Sequence, residues 1–236
     1  MLTMRTFCAL VLTAALAVPA FAQPPGGRGG RGMGGMMGGP AMLLNSEDVQ
    51  KDIKFTDEQK AKLKEFQAKR QEAMAELRNA DMDQRQEMMK KLGEEATKFL
   101  KDTLTEEQSK RLKQIGLQNS LKTNPGAAFA SEETATALKL TDDQKSKIKE
   151  IADQLNKDRR EVFGGGQGGG GGRGRGQMTP EQTKKLEALS KEAHEKIMEV
   201  LTGDQKKTLE DMQGKPFEGK IQMGGGRRGG AGGGGN

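Results

Sequence analysis

Phe55-Thr56-Asp57-Glu58-Gln59 recurs as Leu104-Thr105-Glu106-Glu107-Gln108, Leu140-Thr141-Asp142-Asp143-Gln144, Met178-Thr179-Pro180-Glu181-Gln182 and Leu201-Thr202-Gly203-Asp204-Gln205. The shared pattern is apolar, Thr, any residue, acidic, Gln. It is the pattern of a capping box, in which the Thr hydroxyl accepts from the backbone N–H three residues on and the Gln side chain reaches back to the Thr N–H. An acidic residue in the first turn suits the positive end of the helix dipole. Pro180 takes the first helical position, where a missing N–H costs nothing. Five helix starts are predicted, carried by Thr56 with Gln59, Thr105 with Gln108, Thr141 with Gln144, Thr179 with Gln182 and Thr202 with Gln205.

The residues after each box are equally regular. Eight residues after the leading apolar residue stands Leu63, Leu112, Ile148, Leu186 or Leu209, and eleven after it Phe66, Ile115, Ile151, Leu189 or Met212. A three-residue step keeps both on one helix face, so each box opens an amphipathic helix. The fourth helical residues are Lys60, Ser109, Lys145, Thr183 and Lys206. They give a hydrophobic staple no partner, and the leading apolar residue is expected to pack on a neighbouring helix instead.

The spacing of the boxes exposes a duplication. A shift of 85 residues carries residues 43–66 onto 128–151 with 10 identities in 24 positions. From the second box onward the shift is 97, matching Met89, Leu92, Ala96, Leu100 and Leu104 with Leu186, Leu189, Ala193, Ile197 and Leu201. The difference is close to the length of the glycine tract Gly164–Gly176, which reads as a loop inserted between the long helices of the second half. The first half merely turns near Asn79 to Asp81. The expected fold is all-α: two tandem helical-hairpin units with long antiparallel helices of about 30 Å, plus disordered Gly/Arg-rich segments. The units span residues 43–122 and 128–215, joined by a linker at 123–127, with disordered segments at 23–42 and 216–236. Halves that bury so little are expected to pack on each other or to form a homodimer.

Composition agrees. The 236 residues include 34 Gly, 1 Cys, no Trp and no Tyr, with 33% apolar and 31% charged. Three tracts, Gly26–Gly39, Gly164–Gly176 and Gly224–Gly235, hold 28 of the glycines, leaving a remainder rich in good helix formers. Strand-length β-branched or aromatic runs are almost absent, so a parallel-sheet nucleotide enzyme has little to be built from. No Ser/His/Asp set or phosphate loop is present, and one histidine supports little acid–base chemistry. No catalytic residue and no cofactor is assigned.

Residues 1–22 read as a secretory signal peptide: Arg5, an apolar stretch from Phe7 to Val18, and Ala20-Phe21-Ala22 before the cleavage point. Cleavage after Ala22 removes Cys8 and leaves no transmembrane segment and a periplasmic or secreted chain without cysteine. Zinc would then depend on carboxylates around His194. His194 and Met198, four residues apart on one helix face, are the candidate pair for soft copper; the plainer reading is a surface histidine beside a stripe-edge methionine, and no metal site is assigned. Met33, Met36 and Met37 are a second soft set, read as filler in a glycine tract.

The five boxes, paired in each half and preceded by a leader, resemble the LTxxQ signature of the Spy/CpxP family of exported proteins. The resemblance runs from Leu43 to about Gln213. It implies an all-helical, ATP-independent chaperone of the envelope stress response that binds unfolded or aggregation-prone proteins; some relatives bind heavy metals. Thin apolar stripes beside lysines suit apolar and acidic clients, whose contact residues the sequence leaves unknown. The tracts Arg28-Gly29-Gly30-Arg31, Arg173-Gly174-Arg175 and Arg227-Arg228-Gly229-Gly230 resemble RNA-binding segments, but they lack aromatics and follow an export signal. Solvated linkers are the plainer reading, and an anionic envelope polymer is the alternative partner; a structural role through such a polymer is the alternative function.

Overall fold

A computed structural model describes residues 39–163 and 178–221. The expected signal peptide, the Gly164–Gly176 tract, Met33, Met36, Met37 and the three arginine-glycine tracts lie outside the described residues. Those described are helical, with no strand among them. A 3-10 helix, Pro40–Asn45, precedes α1 (Glu47–Asp52), α2 (Asp57–Asn79), α3 (Met82–Thr103), α4 (Glu106–Thr123), α5 (Pro125–Ala130), α6 (Glu132–Ala137), α7 (Asp142–Val162), α8 (Pro180–Val200) and α9 (Gly203–Gln213).

All five Thr residues accept from the backbone N–H of their Gln, and all five Gln side chains accept in return from the Thr N–H. A sixth capping box, Asp81 with Gln84, opens α3. It escapes a search keyed on Thr, although Asp serves equally well as a cap. Thr56→Ala and Thr141→Ala should each cost about 1 kcal/mol in urea denaturation, the typical worth of one cap.

The short helices α1 and α6 end alike. Phe55 N–H donates to Gln50 O at 2.8 Å and Leu140 N–H to Ala135 O at 3.0 Å. These are the long-range bonds of a Schellman ending. The residue before each lies in the left-handed region, Lys54 at φ 54° and Lys139 at φ 49°. The turn drives Phe55 and Leu140 inward, and both are buried.

Two clusters form the interior. The first gathers Leu44, Val49, Ile53, Phe55 and Leu63 with Leu112 and Ile115 of α4. The second gathers Phe129, Leu140, Ile148, Ile197 and Leu209 with Leu121, also of α4. Helix α4 thus serves both cores with successive turns, and it packs against α5, α8 and α9. Helix α2 lies along α3, and α7 along α8.

Three boundaries differ from expectation. The expected linker 123–127 runs into a helix: Asn124 ends α4 and starts α5, whose Pro125, Gly126 and Phe129 are buried. Gly126 lies so close to α7 that a Cβ there would overlap Ala152 Cβ. Pro125–Ala130 stands 85 residues after Pro40–Asn45, and those earlier residues, partly assigned to a disordered segment, form a 3-10 helix with Ala41 buried. The tail expected to begin at 216 instead continues over the first core, where Phe217 and Ile221 pack against the cluster. Polar bonds hold it there: Ser46 Oγ donates to Lys220 O at 2.6 Å, Lys220 N–H to Asp48 Oδ2 at 2.9 Å, and Phe217 N–H to Gln118 Oε1 at 2.8 Å. Arg111 grips Asp52 through two bonds of 2.6 and 3.1 Å and reaches Lys215 O at 2.5 Å. Its hydrogen bond holds the Asp52 carboxyl below the usual carboxylate range. The chain turns back at Gly214, whose φ of 59° favours glycine.

Candidate functional site

The motif glutamines meet in pairs. Gln59 Nε2 donates to Gln108 Oε1 at 2.8 Å, and Gln108 Nε2 donates to Gln59 Oε1 at 3.1 Å. Each oxygen also accepts from its own Thr N–H. Each nitrogen also reaches a backbone carbonyl, Gln59 to Thr103 O at 2.6 Å and Gln108 to Lys54 O at 3.2 Å. Two donors and two acceptors per amide are therefore all used. Four helix ends, those of α1 and α3 and the starts of α2 and α4, are tied at one point.

The same knot recurs with Gln144 and Gln205. Their reciprocal bonds are 2.7 and 2.9 Å, and their nitrogens reach Val200 O at 2.9 Å and Leu138 O at 3.0 Å. Among the described residues Gln182 has no glutamine partner, and its nitrogen reaches Val162 O at 3.4 Å. The repeated Thr and Gln residues thus cap helix starts, and four of the five glutamines tie helix ends together.

The paired helices differ in what fills the seam between them. Phe66 of α2 and Phe99 of α3 stack with centroids 4.3 Å apart and planes 8° from parallel. The positions 85 and 97 residues on are Ile151 and Lys196. Here the seam is open: a cleft of about 260 Å³ runs between α7 and α8 over Ile151, Leu155, Leu189 and Ala193, rimmed by Glu150, Asp158, Glu192 and Lys196. A wider cleft of about 760 Å³ continues it past Asp158, Leu189 and Glu192 towards Glu161, Glu181 and Lys185. Lys185 pairs with Glu181 at 3.2 Å and Lys196 with Glu192 at 2.7 Å. The α2–α3 cleft near Met74 and Met89 holds only about 90 Å³, and the chain's own Pro40 and Ala41 line it. The large apolar residues standing most exposed among those described, Met82, Phe163 and Met178 at 71%, 57% and 52%, sit at the far ends of these helix pairs.

His194 corrects the expectation of a surface histidine. Its ring lies 6.4 Å from that of the buried Phe129, and its Nδ1 is buried without a hydrogen-bond partner. Met198, one turn on, packs against the second core. Among the described residues no three His, Cys, Asp or Glu side chains are grouped to hold a metal. Burial pushes the His194 pKa below its ordinary 6.5, with Glu195 opposing. The folded state then binds fewer protons than the unfolded state near pH 6, so stability should fall as pH drops from the unfolded value towards the folded one. Thermal melts at about pH 7.5 and about pH 5 should show this loss, and His194→Gln should flatten it; Asp52 acts only in the lower carboxylate window.

Compared with protein-family models, curated proteins and solved structures, the chain matches none. No described helix is long and apolar enough to cross a membrane.

Proposed function

We propose that this chain is an exported, ATP-independent chaperone-like protein that acts by binding rather than catalysis. Two tandem LTxxQ helical-hairpin units are held by the glutamine knots, and apolar stretches of unfolded or aggregation-prone polypeptides dock along the helix pairs. The observation that carries this reading is the α7–α8 cleft, an apolar floor of Ile151, Leu155, Leu189 and Ala193 open along a helical arm. A groove with an apolar floor between two helices suits the apolar face of an amphipathic segment. The exposed Met82, Phe163 and Met178 add soft apolar contacts at the arm ends, and methionine adapts to many partner shapes.

The test is light scattering of a chemically reduced or heat-unfolded client with and without the full chain, in the absence of ATP. Suppression at a few-fold molar excess is the expected result. Unchanged aggregation, together with salt-sensitive binding to an anionic polysaccharide, would replace this reading with that of an envelope-polymer binder.

A further inference from the structure

The α7–α8 cleft combines an apolar floor with a rim in which acids outnumber lysines. Glu150, Asp158, Glu161, Glu181 and Glu192 face it against Lys185 and Lys196. Both lysines are already engaged by Glu181 and Glu192. Among the described lining residues acids therefore exceed lysines by three, with Asp158 also accepting from Gln154 Nε2 at 2.7 Å and lying near Lys196. Glu150 and Glu161 are exposed and Asp158 is half-buried at the rim, while Leu155 and Ala193 beneath are buried. Such a surface repels acidic chains and attracts cations carried beside apolar side chains. That reverses the expectation, drawn from the many lysines on these helices, that clients would be acidic.

We infer that the α7–α8 cleft is a docking site for cationic amphipathic polypeptide segments, in which Leu- or Met-type side chains lie on the Ile151–Leu155–Leu189 floor and Lys or Arg side chains meet Glu150, Asp158 and Glu161. The inference deepens the chaperone reading and rests on it for the role of such segments as parts of unfolded clients. Charge complementarity selects the occupant, and the contrast between the two helix pairs supplies the mechanism. Where Phe66 and Phe99 stack, the seam is closed by the chain itself; Ile151 and Lys196 at the corresponding positions leave it open. A helix laid in a groove is the recognition mode that fits an apolar trough between two helical walls.

Fluorescence anisotropy of two labelled synthetic peptides against the full chain tests this. One has Leu and Lys at helical spacing, and the other has Glu in place of each Lys. The Lys/Leu peptide should bind at least about tenfold more tightly than the Glu/Leu peptide, with the difference shrinking as salt is raised. Glu150→Gln with Asp158→Asn and Glu161→Gln, all at the rim, should weaken the Lys/Leu peptide by about tenfold with the fold unchanged by circular dichroism. Ile151→Phe with Lys196→Phe should abolish binding by closing the floor, although it makes the rim more acidic.

Equal binding of the two peptides, or undiminished binding to the rim variant, would overturn the inference. So would suppression of client aggregation by the Phe-filled variant at the wild-type level, which would leave the chaperone reading standing. Peptide binding as expected, with no suppression by the wild type, would instead retain the cleft assignment and remove the chaperone reading.

Discussion

Gln144→Leu is expected to lower stability by about 2–3 kcal/mol, well beyond a simple lost cap, because it strips partners from several groups at once. Thr141 N–H loses its acceptor, Val200 O loses its donor, and Gln205 is left with half of its amide unpaired. Gln205→Leu should cost a similar amount. The double variant should cost less than the sum by at least about 1 kcal/mol, since the second substitution removes a partner already orphaned by the first. Gln182→Leu is the internal control: its cap is the same but it pairs with no glutamine among the described residues, so its loss should stay at about 1 kcal/mol, that of an ordinary cap. Additive losses in urea denaturation of Gln144→Leu and Gln205→Leu would show that the paired amides contribute nothing beyond two separate capping boxes.

Gly126→Ala should destabilise by about 1–3 kcal/mol through overpacking. The added methyl would overlap Ala152 Cβ and sit 3.1 Å from Ala152 Cα, so α5 must move away from α7. Ala152→Gly removes the obstructing methyl. The double variant should recover most of the loss, remaining below wild type by about 1 kcal/mol, the penalty of glycine inside a helix. Failure of Ala152→Gly to rescue would show that the close approach of α5 and α7 is not what Gly126 permits. The pair also separates the two meanings of Asn124-Pro125-Gly126: in a free linker Gly126→Ala would be nearly silent and Ala152→Gly would cost only its own helical-glycine penalty.

The polar shell of α4 illustrates why the domain limits are hard to read from sequence. Arg111 and Gln118 are ordinary polar residues of an amphipathic helix in the sequence, yet they hold the backbone of residues 213–217 from about a hundred residues away. Arg159 behaves likewise. From α7 it donates to Thr123 O at the end of α4 and to Ser190 Oγ of α8 at 2.9 Å, joining three helices. Nothing in the local spacing of either arginine marks it as a fastener. His194 is displaced from its expected surface setting for the same reason: its local spacing shows a polar residue beside the stripe-edge Met198, but the chain brings the buried ring of Phe129, 65 residues earlier, to within 6.4 Å of it.

The all-helical class is legible in the chain because it arises from interactions that span four residues or fewer. A Thr and a Gln three apart satisfy the free N–H groups of a helix start wherever that helix goes, and apolar residues at three- and four-residue steps make a stripe in any tertiary setting. Where the stripes and amides meet is settled by packing across long stretches of chain. The Gln59 and Gln108 amides are 49 residues apart and Gln144 and Gln205 are 61 apart, and each helix start is equally stable locally with its amide turned to water. The same holds for the seams: Phe66, Phe99, Ile151 and Lys196 are all acceptable on a helix surface. Their difference becomes a closed seam in one pair and an open acidic cleft in the other only once α2 lies on α3 and α7 on α8, because whether space is filled depends on the volume of both facing side chains together.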